Sequence, residues 1–114
     1  MIATFLCLAA VAIDGDTLRC ANVEQANGRV RLARIDAAEL HEPGGAEAQA
    51  ALAALLTGPV QCRRIDADPR RAGFQGEDRY GRIVARCRVN RRDLGETLIA
   101  SGHAVVWPRR KGRK

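Results

Sequence analysis

Hydrophobic and polar positions along the chain change their period several times, and each change marks an element. Met1 to Ile13 is apolar apart from Thr4, a continuous run in which periodicity does not separate helix from strand. Its neighbours decide the matter. Asp14-Gly15-Asp16 is a turn signal, and Thr17-Leu18-Arg19-Cys20 resumes with strand-like alternation, so 3–13 and 16–22 are predicted to form an antiparallel hairpin. A second turn at Asn27-Gly28 leads into a third strand, in which Val30 and Leu32 share one face and Arg29 and Arg31 the other. Ala48, Leu52, Leu55 and Leu56 then recur at helical spacing, predicting a helix over 46–57 that Gly58-Pro59 stops. Val60 to Asp66 and Arg82 to Val89 are two further strands. Between them, 67–81 holds Pro69, Gly73, Gly76 and Gly81 and is a long loop, a length that often carries function. Leu94 to Ala100 is a short second helix ended by Gly102, and 103–107 is a last extended segment.

The fold class that follows is mainly β with two short helices. Five strands with a helix between the third and fourth suit a partly open, five-stranded Greek-key barrel of the OB type. A chain of 114 residues has room for one core, so a single domain over 1–107 is expected, with 108–114 as a basic tail. The net charge is +6, but five basic residues lie in the last six positions, which leaves the remainder with 14 basic against 13 acidic residues. The high isoelectric point is therefore poor evidence of nucleic-acid binding by the folded body. Only two histidines, His41 and His103, are present, which disfavours Ser/His or Cys/His catalysis and multi-histidine metal sites.

Cys7, Cys20, Cys62 and Cys87 show no C-x-x-C spacing, so a structural zinc is not expected. Two disulfides, paired 7–20 and 62–87, or four buried thiols remain open. The N-terminal run has no basic residue ahead of it, as a leader requires, and is read as part of the fold. It is also too short for the roughly 20 apolar residues that span a bilayer, so no membrane association is expected.

Three charged clusters end strands. Taken singly, Asp14-Gly15-Asp16 is an ordinary hairpin turn, Asp36-Ala37-Ala38-Glu39 a capping-box-like start of a helical turn, and Asp78-Arg79-Tyr80-Gly81-Arg82 a surface turn with a salt bridge. Together they supply the parts of a phosphate-transfer site. Asp16 and Asp36 offer two hard oxygen ligands of the kind Ca²⁺ prefers. Glu39, three residues past Asp36, stands where a general base would orient or deprotonate water. Arg31 and Arg82 could grip phosphate oxygens and stabilise developing negative charge.

At these residues the sequence resembles the staphylococcal nuclease-like, or thermonuclease, family. The matching segments are Val11 to Leu18, Arg29 to Glu39, Asp78 to Arg82 and Asp93 to Ala104, in the family's order and approximate spacing, and the resemblance covers about residues 5–107. It implies an OB-fold nuclease that hydrolyses phosphodiester bonds in DNA and RNA with Ca²⁺, leaving a 3′-phosphate. Carried over by position, Asp16, Asp36 and the main-chain carbonyl of Ala37 would ligate calcium, and Glu39 would position or activate the attacking water. Arg31 and Arg82 would bind the scissile phosphate, and Arg79 and Tyr80 would contact the nucleotide.

The sequence also departs from that pattern. Ala37-Ala38 stands where the family has Thr or Ala followed by Pro, which removes a constraint on the turn that holds Glu39. Trp107 replaces an aromatic pair after the last helix, and six mostly basic residues are expected in place of the family's long C-terminal helix. The expectation is a monomeric, secreted or periplasmic calcium-dependent nuclease acting on DNA or RNA. The rival expectation is an OB-type module that binds nucleic acid without cutting it.

Overall fold

The computed structural model describes residues 3–108. The N-terminal apolar run does not form one arm of a hairpin. It divides into β1 (Thr4–Cys7) and β2 (Ala10–Ala12), which pair with different partners. The break falls at Leu8 and Ala9, where the Asn22 side chain takes over the ladder: its Nδ2 donates to the Leu6 carbonyl and its Oδ1 accepts from the Leu8 N–H, both at 2.9 Å. An amide side chain can offer this pair of bonds because it carries a donor and an acceptor.

β2 pairs antiparallel with β3 (Thr17–Cys20), and β3 with β4 (Arg29–Leu32). The connection between β3 and β4 is a short 3₁₀ turn, Gln25–Gly28, in which Ala26 and Asn27 adopt left-handed backbone angles. β4 then pairs in parallel with β7 (Ile83–Val89), which is antiparallel to β6 (Val60–Arg64), which in turn pairs with β1. β8 (Arg92–Asp93) extends β7. A separate two-stranded ribbon joins β5 (Ile35–Asp36) to β9 (Val105–Val106), with Asp36 opposite Val105.

The expected five-stranded barrel is thus corrected. Strands are more numerous, and the sheet runs as an open path from β1 to β2 without being closed into a barrel. The two ends of that path are consecutive in the chain, linked through Leu8 and Ala9, so one bent segment serves both edges. Helix α1 (Gly45–Leu55) and helix α2 (Leu94–Ala100) lie close to the predicted spans. Asp93 caps α2, its carboxylate accepting from the Glu96 N–H at 2.8 Å. Leu18, Val30, Leu32, Leu52, Ile83, Leu94 and Leu98 form the centre of the core.

Both cysteine pairs are disulfides, Cys7–Cys20 and Cys62–Cys87, the second between direct register partners of β6 and β7. The loop at 67–81 is knotted by Gln75, whose Nε2 donates to the Gly73 carbonyl at 2.6 Å while its Oε1 accepts from the Asp68 N–H at 2.9 Å. Arg64 ties the same loop to the body through the Gly76 carbonyl and Gln25. No helix among the described residues is long and apolar enough to cross a membrane. The basic tail lies, from residue 109 onward, outside the described residues.

Candidate active site

Asp16 follows the tight turn between β2 and β3, where Gly15 is needed for close approach. A Cβ on Gly15 would meet the Ala48 Cβ of α1 at 2.5 Å and the Ala37 Cβ at 2.9 Å. That approach seats Asp16 under the helix, only 6% exposed. Its Oδ2 accepts from the Ala37 N–H at 3.0 Å, and its Oδ1 accepts from the Thr17 hydroxyl at 3.1 Å. Burial pushes the Asp16 carboxyl above its ordinary value; the Arg31 guanidinium and the Ala37 N–H draw it back, and nearby Asp14 adds to the rise.

Arg31 projects from β4 between two carboxylates. Its Nη2 stands 3.4 Å from Asp16 Oδ2 and 3.4 Å from Asp36 Oδ1, while its Nη1 donates to the Leu32 carbonyl at 2.7 Å. Arg82, at the end of the loop, is held by Asp78: its Nε donates to Asp78 Oδ2 at 2.8 Å and its backbone N–H to Asp78 Oδ1 at 2.9 Å. Its Nη1 donates to the Thr17 hydroxyl at 3.1 Å. A single chain of polar contacts therefore runs Arg82, Thr17, Asp16, Arg31, Asp36, joining residues from three distant segments. Arg82 Nη2 has no hydrogen-bond partner among the described residues and remains available to a ligand.

Tyr80 stands beside this chain, 61% exposed. Two guanidiniums approach its ring, Arg79 at 5.1 Å and Arg82 at 5.2 Å from the centroid. Arg31, Arg79, Tyr80 and Arg82 line a cleft of about 510 Å³ that Arg70 and Trp107 also line, with the Arg70 guanidinium 5.3 Å from the Trp107 ring centroid. Six arginines and three carboxylates border this cleft, so a body with almost balanced charge concentrates positive potential here.

Glu39 is placed differently. Its carboxylate is 69% exposed and faces His41 at 3.8 Å, and its backbone N–H donates to Glu42 Oε1 at 2.7 Å. None of its described contacts reaches the chain from Arg82 to Asp36. The loop that carries it packs its backbone on Gly45 at the start of α1, where a side chain would collide with the Glu39 carbonyl.

A hard divalent cation fits the donor chemistry around Asp16. Two carboxylates and the neighbouring main chain of Ala37 are oxygen donors of the type calcium takes, and the Asp16 carboxylate is buried with its ionised form under-compensated. The Arg31 contacts to both carboxylates, at 3.4 Å, are longer than the 2.7–2.9 Å typical of charge-assisted bonds. No group of three or more Asp, Glu, His or Cys side chains forms a metal cage among the described residues, so carbonyl oxygen and water would complete the coordination.

Residues 29–114 match the family described as staphylococcal nuclease homologue. The chain belongs to that family. The staphylococcal nuclease homologue domain is also similar to the succinoglycan biosynthesis protein ExoI of Rhizobium meliloti (strain 1021), at 39% identity over 107 residues, covering 84% of this chain and 49% of the relative. The chain thus spans about half the length of that curated relative.

For this nuclease homologue, sequence reasoning named every member of the polar chain except Thr17. Thr17, whose hydroxyl joins Arg82 to Asp16, was passed over as a strand residue. The available signal was its position directly after Asp16 at a strand start, where a small hydroxyl lies within reach of whatever that carboxylate holds.

Proposed function

We propose that this protein is a calcium-dependent nuclease that hydrolyses phosphodiester bonds in DNA or RNA. The observation that carries the reading is the contact chain in which Thr17 joins Arg82 to Asp16 and Arg31 joins Asp16 to Asp36. Two guanidiniums alone would suit any phosphate. Two carboxylates in the same cluster would repel one unless a cation stood with them.

In this reading Asp16, Asp36 and the Ala37 carbonyl hold the ion, which when bound supplies positive charge against the phosphodiester. Arg31 and Arg82 bind the scissile phosphate, Arg82 through the Nη2 that no described residue occupies. Both donors are aimed before substrate arrives, which is what stabilises developing charge without a reorganisation cost. Glu39 orients or deprotonates the attacking water, and its exposed loop must turn inward to do so. Arg79 and Tyr80 contact the nucleotide, with the Tyr80 ring offering a base a stacking face. The two disulfides suit an oxidising, secreted or periplasmic setting, and the protein acts as a monomer.

One observation favours a second reading. Glu39 is exposed and touches only its own loop, as it would in a module that binds nucleic acid without cutting it. The name of the ExoI relative connects that protein with succinoglycan biosynthesis.

Cleavage of labelled single-stranded DNA separates the two, measured with Ca²⁺, with excess EGTA, and with Glu39→Gln. Calcium-dependent cutting that the variant loses by about 100-fold or more supports the nuclease. Binding without cutting by the intact protein establishes the binding module instead.

A further inference from the structure

On the face of the sheet formed by β1, β6 and β7, alternation places Arg63, Arg86 and Arg88 outward, all three exposed, while Cys62 and Cys87 turn into the core. Arg63 and Arg86 are direct register partners, and Arg88 is the partner of Gln61 on the same face. Arg86 and Arg88 are separated by two residues of β7, about 6.6 Å along the strand. Like charges directly opposite each other across a sheet are destabilising. Among the described residues no carboxylate closes a salt bridge with any of the three: Asp93, the register partner of Arg88 on β8, borders the same depression without forming an ion pair, and Gln61 accepts from Arg88 Nε at 2.9 Å.

These arginines border a shallow depression of about 830 Å³. It is not isolated from the candidate active site. Arg86 also borders a smaller hollow together with Arg34, and Arg34 lines the cleft that holds Arg31 and Arg82. Arg34 itself is fixed, its Nη1 donating to the Asp66 carbonyl at 2.6 Å. The Arg34 guanidinium is pulled below its ordinary value first by burial and then by the positive charge of Arg86, which places the two charges within each other's field.

We infer that Arg34, Arg86, Arg63 and Arg88 form a track along which a single-stranded nucleic acid extends beyond the cleft, its backbone phosphates lying on the outer face of β6 and β7. The inference rests on the nuclease reading for the choice of occupant, and on charge complementarity for the path. A run of unpaired guanidiniums leading away from a phosphate-binding cleft matches a linear polyanion. The track would hold the strand independently of base sequence, because guanidiniums on a flat sheet meet phosphates and no groove reads base edges.

The test measures binding and cutting separately. Affinity for a labelled oligothymidylate of about 20 nucleotides is determined by fluorescence anisotropy in EGTA over a range of KCl concentrations, for the intact protein and for the triple variant Arg63→Gln, Arg86→Gln, Arg88→Gln. The expected result is an affinity about ten-fold weaker at low salt and a plot of log Kobs against log[salt] shallower by about 2, from roughly 0.7 per lost phosphate contact. Cleavage of a dinucleotide, which reaches only the cleft, keeps its kcat and KM in the variant. The single variant Arg86→Gln, which removes the like-charge pair, retains or raises Tm and shows a smaller shift in the same direction, so an effect of misfolding is separable.

Unchanged affinity and salt slope in the triple variant overturn the track. Tighter binding of a carboxylated polysaccharide than of the oligonucleotide, lost in the same variant, overturns its nucleic-acid occupant. If no substrate is cut by the intact protein, the nuclease reading fails while the track is still judged by the anisotropy result.

Discussion

Arg82 Nη1 donates to the Thr17 hydroxyl at 3.1 Å across 65 positions of sequence. Thr17 passes the bond on, its hydroxyl donating to Asp16 Oδ1 at 3.1 Å. One small polar side chain thereby sets the spacing between the Arg82 guanidinium and the Asp16 carboxylate, the groups proposed to bind phosphate and cation. Neither charged group touches the other, and both are oriented before any ligand binds.

Thr17→Val keeps the β-branched shape but removes that hydroxyl, leaving the buried Asp16 Oδ1 without its donor. Loss of a hydrogen bond to a charged group costs about 1–3 kcal/mol. Calcium-dependent cutting is expected to fall by about ten-fold, with a lowered Tm, and Thr17→Ser is expected to restore most of both. Wild-type turnover in Thr17→Val would remove Thr17 from the site.

Asp78 accepts from both the Nε and the backbone N–H of Arg82, and also from the Tyr80 N–H at 3.0 Å. Asp78→Asn weakens one charge-assisted contact of about 1.4 kcal/mol, equivalent to a ten-fold effect on kcat/KM. Because Asp78 holds Arg82 through its Nε and backbone N–H, the loss should be shared with Arg82→Gln. Steady-state kinetics of the double variant should therefore show clear non-additivity.

Gly15→Ala forces a methyl against the Ala48 and Ala37 side chains, at 2.5 and 2.9 Å. Overpacking of this kind costs about 1–3 kcal/mol. Displacement of the turn also separates Asp16 from the Ala37 N–H, so denaturant midpoint and calcium affinity should fall together. Gly58→Ala is the control: its Cβ would meet nothing within 4 Å, and stability should hold or rise slightly.

The Asp16 carboxyl is raised above 3.8 by burial, opposite to the usual behaviour of a paired aspartate. Between 3.8 and the folded value the native state therefore holds the proton more tightly than the unfolded chain, and the stability of the metal-free protein falls as pH rises through that window. Arg31→Gln removes the charge that holds the shift down. In ¹³C-carboxyl NMR the Asp16 titration should move further upward in this variant, and the stability deficit against wild type should be larger at neutral than at acidic pH. An unmoved Asp16 titration would show that Arg31 does not govern it.

Elements with strong local signals were legible in the sequence. The alternation at Val30 and Leu32, the helical spacing of Ala48 and Leu52 and the stop at Gly102 each depend on residues within a few positions, and the structure places β4, α1 and α2 accordingly. The break at Leu8 and Ala9 was not legible. It is made by Asn22, which reaches back 14 and 16 positions to the two exposed backbone groups. An uninterrupted apolar run gives no hint of a bend supplied by a side chain elsewhere.

Charge shows the same division. By composition the body is near neutral, so the high isoelectric point was poor evidence of nucleic-acid binding. The arrangement of the charges was not contained in that sum, because six arginines converge on one cleft and three more alternate onto one sheet face. The sequence by itself determined which side chains were present and which local period each segment follows, since those depend on composition and near-neighbour sterics. Only the tertiary structure decided that Arg82, Thr17, Asp16, Arg31 and Asp36 are linked while Glu39 stands apart. Contacts across 65 positions depend on how strands pair, and strand pairing is settled by burial of the whole core rather than by any one segment.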